Sequence, residues 1–315
     1  MKPSLRLSLL FAIALPQGLP AMGSGLSVCT LLVAGIERRY AIYLPEAWDG
    51  VKPLPVVFMF HGGGGSAKGA IEETGWEKKA EAEGFIAVFP EALPPEPRAP
   101  ASFGKNPQIW NDGSGRLHAG ERNIDDVGFV RALIQLLIAQ YKVDSRRIYV
   151  TGFSNGASMA FRLGVELSTL IAAIAPVAGA FWLANPRPEH PRSLLYITGT
   201  DDPLNPMDGG APKLLGSLNM LGGKPKPPVF DSIQKWLDLA HLSLDPGLDE
   251  SKSGVRTQRS KPVKGGCELV FVMIQGAGHA WPGGKSLLNA RFVGETTDKL
   301  DATATIWDFF KAHSL

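Results

Sequence analysis

The five residues Gly152-Phe153-Ser154-Asn155-Gly156 constrain this chain more than any others, because of what flanks them. Residues 147–151 before them are apolar and β-prone, and residues 154–167 after them carry helical spacing. A chain that passes from strand to helix in so few residues must turn sharply. Such a turn leaves no room for side chains two positions before and two positions after the serine. It also strains the serine backbone and aims the hydroxyl away from the sheet. A glycine-containing surface turn would give the same five letters; the strand before and the helix after separate the two readings.

The rest of the chain alternates in the same way. Residues 26–33 and 39–44 flank Ala34-Gly35-Ile36 and predict a hairpin. Residues 55–60 form a continuous apolar run, as a strand covered on both faces requires. A helix over 76–83 is stopped by Gly84, a strand follows at 85–89, and the Pro- and Ala-rich stretch 93–107 reads as a surface loop. Residues 125–141 predict a helix with acids at its start. Further strands are expected at 171–177, 193–198 and, last, 268–274, with helices at 232–241 and 302–313. The stretch 203–266 reads as a long irregular insertion around the first of these two helices. This order predicts an α/β fold with a mostly parallel central sheet flanked by helices, a single catalytic-size domain over residues 24–315.

Lys2 and Arg6 precede the apolar stretch 7–15, then Pro16 and small residues up to Gly23. That pattern is a secretory signal peptide over 1–23, with an apolar core too short to span a bilayer. The expectation is a secreted protein, extracellular or periplasmic, without stable membrane insertion once the signal is removed. Lys plus Arg number 32 against 30 for Asp plus Glu, a net charge of +2, which provides no electrostatic footprint for nucleic acid. The two cysteines cannot staple 315 residues, and no Cys/His cluster has metal-ligand spacing, so neither metal nor cofactor is expected.

A serine hydroxyl needs a base to take its proton. In folds that carry this turn, the base is a histidine after the last strand and the orienting acid follows an intermediate strand. Of the histidines after Ser154, His190, His241 and His313 stand before a strand or at helix ends. His279 comes directly after the last strand, in the glycine-rich run Gly276-Ala277-Gly278-His279-Ala280-Trp281-Pro282-Gly283-Gly284. The acid falls on Asp202, fixed by Pro203, with adjacent Asp201 as the alternative. Backbone N–H groups of Asn155 and of Gly62 and Gly63, in the run His61-Gly62-Gly63-Gly64-Gly65-Ser66, are the candidates for holding a developing oxyanion. His61 is read as structural. No lysine-serine or lysine-threonine pair follows these glycines, which argues against a phosphate loop.

Residues 61–66, Ile109-Trp110-Asn111-Asp112, Asp125-Asp126-Val127-Gly128-Phe129, residues 151–159 and residues 276–284 together resemble one family. It is the family of secreted serine esterases that includes polyhydroxybutyrate depolymerases and feruloyl or acetylxylan esterases. The resemblance implies an α/β-hydrolase fold, a triad of Ser154, Asp202 and His279, and an ester of small, oligomeric or polymeric form as substrate. Trp281, beside His279, is a candidate substrate contact, with anchoring of the histidine loop as the equal alternative, and Trp110 is a second candidate contact. Two features depart from the family pattern: Cys267 lacks its usual partner, and Thr198 stands where a histidine is frequent. A polyhydroxybutyrate-depolymerase-type esterase is the leading expectation, and a feruloyl or acetylxylan esterase the alternative. A peptidase of the same fold and a non-catalytic binding protein are less favoured. With no linker or binding module in sight, the chain is expected to act on soluble esters more readily than on crystalline polymer.

Overall fold

The computed structural model describes residues 24–211, 224–261, 263 and 266–315; the signal-peptide expectation lies outside these residues. Strands β1 (Gly25–Val33) and β2 (Ile36–Leu44) form the expected hairpin. Ala34 and Gly35 between them both have positive φ, 49° and 80°, the geometry that matches a two-residue turn to strand twist. Strand β3 (Leu54–Phe60) is buried at every position. Helices α1 (Ala67–Thr74) and α2 (Trp76–Glu83) lead to β4 (Ile86–Pro90), and α2 ends at Gly84 with φ 73°. After the short α3 (Leu117–Glu121), α4 (Asp126–Gln140) is capped by Asp125, whose carboxylate accepts the Gly128 N–H at 2.7 Å. Then come β5 (Val143–Phe153), α5 (Asn155–Glu166), β6 (Ala173–Val177) and β7 (Ser193–Gly199).

The described residues of the stretch read as an irregular insertion are more ordered than that. Helix α6 (Val229–Ala240) starts three residues earlier than expected, and an antiparallel pair follows it, β8 (Leu244–Lys252) and β9 (Val255–Ser260). The sequence Leu-Asp-Pro-Gly-Leu-Asp-Glu-Ser-Lys of β8 has turn residues and charges rather than apolar alternation. It is a strand because it pairs with β9 at the sheet edge, where one face and one backbone edge meet water. The bidentate contact of Arg256 with Asp249, at 2.9 and 2.5 Å, spans the two strands. Strand β10 (Leu269–Ile274), helix α7 (Ala290–Val293) and helix α8 (Ala302–Phe310) complete the order.

Among the described residues, ten strands form one sheet, in the order β1-β2-β4-β3-β5-β6-β7-β10-β9-β8. The six central strands, β4 to β10 in that order, run parallel; the two at each edge are antiparallel. Helices cover both faces, so alternate residues of one strand enter different cores. Val56, Phe58 and Phe60 of β3 pack with α4, α5 and α6, whereas Val57 and Met59 pack with α1, α2 and α8. That double coverage is why β3 and β10 read as unbroken apolar runs. Cys29 in β1 and Cys267, just before β10, are separated by six intervening strands. At about 4.8 Å per spacing this is roughly 34 Å, far beyond disulfide reach. The Cys267 thiol donates to the Pro191 carbonyl at 2.9 Å instead.

Candidate active site

The parallel strands deliver three loops to one end of the sheet. At the β5–α5 junction Ser154 has φ 56° and ψ −116°, a positive φ that costs a non-glycine residue about 1–3 kcal/mol. The flanking glycines explain themselves sterically. A Cβ at Gly152 would stand 2.4 Å from the Gly156 carbonyl oxygen, and one at Gly156 would stand 2.2 Å from the Phe60 carbonyl oxygen. The Ser154 N–H donates to the Val177 carbonyl at 2.9 Å, tying the turn to β6.

His279 follows β10 on a loop pinned by its own N–H to the Val293 carbonyl at 2.5 Å and by the Gly278 N–H to the Glu295 carbonyl at 2.8 Å. A Cβ at Gly278 would meet the Val293 carbonyl oxygen at 2.4 Å, so the close approach that turns His279 inward needs glycine there. Its Nδ1 lies 2.7 Å from Asp202 Oδ2 and its Nε2 2.8 Å from Ser154 Oγ. An ionised carboxylate only accepts hydrogen bonds, so Nδ1 carries the proton and Nε2 is left to accept from the serine hydroxyl. The Phe153 ring packs on the imidazole at 4.7 Å between centroids.

Asp202 is buried in the turn after β7. Its Oδ1 accepts the N–H groups of Leu204 and Asn205 at 2.8 and 2.7 Å, leaving Oδ2 for His279. Burial alone would push this acid up. The charge and hydrogen bond of His279, the Lys226 ammonium and the Asn205 N–H outweigh it and hold the carboxyl below the usual range. Asp201, the alternative acid, is exposed and accepts from the Thr200 hydroxyl at 2.8 Å.

The glycine loop after β3 lies over the serine: a Cβ at Gly62 would be 3.5 Å from Ser154 Cβ, and one at Gly63 would be 3.6 Å from Asn155 Cβ. His61 anchors this loop. Its Nδ1–H donates to the Gly62 carbonyl at 2.7 Å while Nε2 accepts the Ala92 N–H at 3.2 Å. Burial drives its imidazole down to about 4, so it stays neutral and structural at neutral pH. The Asn155 side chain binds the next loop, accepting the Trp110 N–H at 2.8 Å and donating to Asp112 Oδ2 at 3.0 Å.

The two tryptophans read as substrate contacts are packing residues. Trp110 is 1% exposed, its Nε1–H donates to the His61 carbonyl at 3.0 Å, and its ring meets Phe60 edge-on. Trp281 is 2% exposed and sits in the core beneath α1, α2 and α8. Its Nε1–H donates to Thr303 Oγ1 at 3.0 Å, and that hydroxyl donates to the Thr74 carbonyl at 2.7 Å. With its ring buried and its N–H satisfied inside, Trp281 fastens the histidine loop to α1 and α8. Trp281→Ala is therefore expected to destabilise the protein by about 3–5 kcal/mol, the cost of a large buried aromatic. Thermal melting checks this; an unchanged melting temperature with a raised KM would restore a binding role.

A family model described as Esterase PHB depolymerase matches residues 38–185. The chain is 29% identical over 298 residues to the putative esterase NocK of Nocardia uniformis subsp. tsuyamanensis, covering 89% of this chain and 80% of that protein. It is 27% identical over 257 residues to feruloyl esterase B of Piromyces equi, covering 79% of this chain but 44% of that protein. Among solved structures, an acetyl xylan esterase from Aspergillus awamori superposes with a TM-score of 0.54 at 15% identity, over 81% of this chain and 94% of that one. The chain has an α/β-hydrolase fold and is similar to esterases of this kind.

Other residues that build this candidate site gave little sign in the sequence. Asp126, in the Asp125–Phe129 stretch, is fully buried; one of its oxygens meets Arg38 at 2.5 Å and the other accepts the Asn111 N–H at 2.7 Å. This pair fastens the 110–112 loop to α4, and burial pushes the Asp126 acid up even against the Arg38 charge. Asp112, Asn205 and Lys226 are buried polar residues from three separate loops. The signal in Asp126 was its place at a helix start, shared with its capping neighbour Asp125; Asn205 and Lys226 offered none.

Proposed function

We propose that Ser154 is the nucleophile, His279 the general base and acid, and Asp202 the residue that orients the imidazole. The observation that carries this reading is the unbroken hydrogen-bonded chain from Ser154 Oγ through both nitrogens of His279 to Asp202 Oδ2. Ser154 Oγ attacks the ester carbonyl carbon as its proton passes to Nε2. The carbonyl oxygen becomes an oxyanion, met by the backbone N–H groups of Asn155 and of the Gly62–Gly63 segment. When the tetrahedral adduct collapses, the C–O bond to the alcohol breaks and Nε2 returns the proton to the leaving oxygen. Water then enters. His279 takes one of its protons, the hydroxyl adds to the acyl carbon, and Ser154 Oγ leaves with the proton from Nε2, freeing the acid.

The substrate class proposed is a polyhydroxybutyrate-type ester, supported by the family model across the nucleophile and the glycine loop. A feruloyl or acetylated plant-wall ester is the second reading, supported by the names of relatives such as feruloyl esterase B. Secretion belongs to the same proposal and rests on the charged and apolar pattern of residues 2–15. The test is kcat/KM for a hydroxybutyrate trimer, methyl ferulate, an acetylated xylo-oligosaccharide and p-nitrophenyl butyrate. The trimer is expected to exceed methyl ferulate and the acetylated sugar by about tenfold, roughly the discrimination that pocket fit alone provides. The reverse order would transfer the assignment to the second reading.

A further inference from the structure

One buried cation stands against the triad acid. Lys226 is 9% exposed, and its Nζ donates to Asn205 Oδ1 at 3.1 Å. An ammonium has only donors, so the Asn205 amide is fixed with its oxygen toward Lys226. Its nitrogen then donates to the Tyr196 hydroxyl at 3.0 Å, and that hydroxyl donates to the Gly179 carbonyl at 2.7 Å. Gly179 lies against the nucleophile turn, where a Cβ would stand 2.6 Å from the Ser154 carbonyl oxygen. The Asn205 backbone N–H is one of the two that hold Asp202 Oδ1. Lys226 thus anchors the residue that orients the acid, and the same network reaches the loop after β6, beside the serine.

The charges around Lys226 are Asp202, Arg116 and Asp112. Asp112 is the carboxylate that accepts from Asn155, and Arg116 lies 3.4 Å from it. Burying an ammonium costs several kcal/mol unless charge and hydrogen bonds compensate, and a hydrophobic residue of similar volume would fill this space with less penalty. Burial, aided by Arg116 and opposed by Asp202 and Asp112, drives the Lys226 ammonium down to about 8, so it remains charged at neutral pH. The intervening asparagine also has a consequence. A lysine bonded directly to Asp202 would compete with His279 for the carboxylate; acting through Asn205, it leaves Oδ2 to the imidazole.

We propose that Lys226 is a positioning residue of the esterase: through Asn205 it orients the Asp202 carboxylate, and its charge sets the proton affinity of the Asp202–His279 pair. This rests on the reading of Ser154, Asp202 and His279 as the triad. A cation beside the pair works against a second positive charge there, so removing it is expected to move the acidic limb of the kcat profile to higher pH.

The experiment measures kcat and KM for p-nitrophenyl butyrate across pH in the wild type, Lys226→Met, Lys226→Gln and Lys226→Arg, with Ser154→Ala alongside. Lys226→Met is expected to lower kcat about tenfold with KM within about twofold, and to move the acidic limb of the kcat profile upward by about half a pH unit or more. Lys226→Gln, which keeps a hydrogen-bond donor but no charge, should move the limb by the same amount. Lys226→Arg should restore the limb and most of kcat. A folded Lys226→Met or Lys226→Gln enzyme whose limb stays at the wild-type position overturns the proposal, whatever its kcat. Retention of activity in Ser154→Ala overturns the triad reading, and this proposal with it; Ser154→Ala inert beside an unshifted Lys226 series overturns the proposal alone.

Discussion

Replacing Ser154 with alanine is expected to lower kcat on a soluble ester by a factor of about 10⁴ or more, with KM little changed. The reason is local. Oγ is 2.8 Å from His279 Nε2, and no other hydroxyl takes part in the Ser154–His279–Asp202 chain. The glycine loop and the Asn155 amide remain in the variant, so a small residual rate above the uncatalysed reaction should persist. Folding should be preserved, because alanine occupies the same strained backbone without added volume. A serine-directed phosphonate should add one covalent mass to the wild type, on Ser154, and none to the variant. Labelling of another serine would refute the assignment.

The second large effect is expected at Asp202. Asparagine there must still present an acceptor to the N–H groups of Leu204 and Asn205, which bond Oδ1 at 2.8 and 2.7 Å. Its amide nitrogen then faces His279 Nδ1 as a donor. The imidazole is forced into the other tautomer, with the proton on Nε2, where it can no longer accept from Ser154. A loss in kcat of about 10³–10⁴ is expected, as where the orienting acid of a serine protease is amidated. Asp201→Asn should stay within about twofold of the wild type, because its carboxylate is exposed and bonded to Thr200. Comparable losses at both positions would reject Asp202 as the orienting acid. A fall in melting temperature that accounts for the activity lost would reduce its role to structure.

Much of this site was legible because its causes are local. The clash that requires glycine at 152 lies within one turn, against the Gly156 carbonyl, whereas Gly156 is held by the Phe60 carbonyl of β3 and Gly278 by the Val293 carbonyl, close approaches from farther along the chain. The sequence favoured Asp202 over Asp201 only through the following Pro203. Adjacent residues in a turn point to opposite sides, and only the meeting of the β7 and β10 loops says which side His279 occupies. Trp110 and Trp281 stand in motifs rich in site residues, and residue type alone cannot say whether an indole faces substrate or core.

The sequence by itself determined most of the run of strands and helices and the sharp turn that presents Ser154. These follow from side-chain periodicity and from sterics within a few residues. Tertiary structure decided the rest. It made a strand of the polar segment Leu244–Lys252 by pairing it with β9 at the sheet edge. It brought Asp202 rather than Asp201 to His279, and it buried Lys226 and Asn205 beside that carboxylate. In each case the deciding energy comes from backbone pairing, desolvation or charge contact between segments distant in the chain, and none of these leaves a periodic mark in the residues themselves.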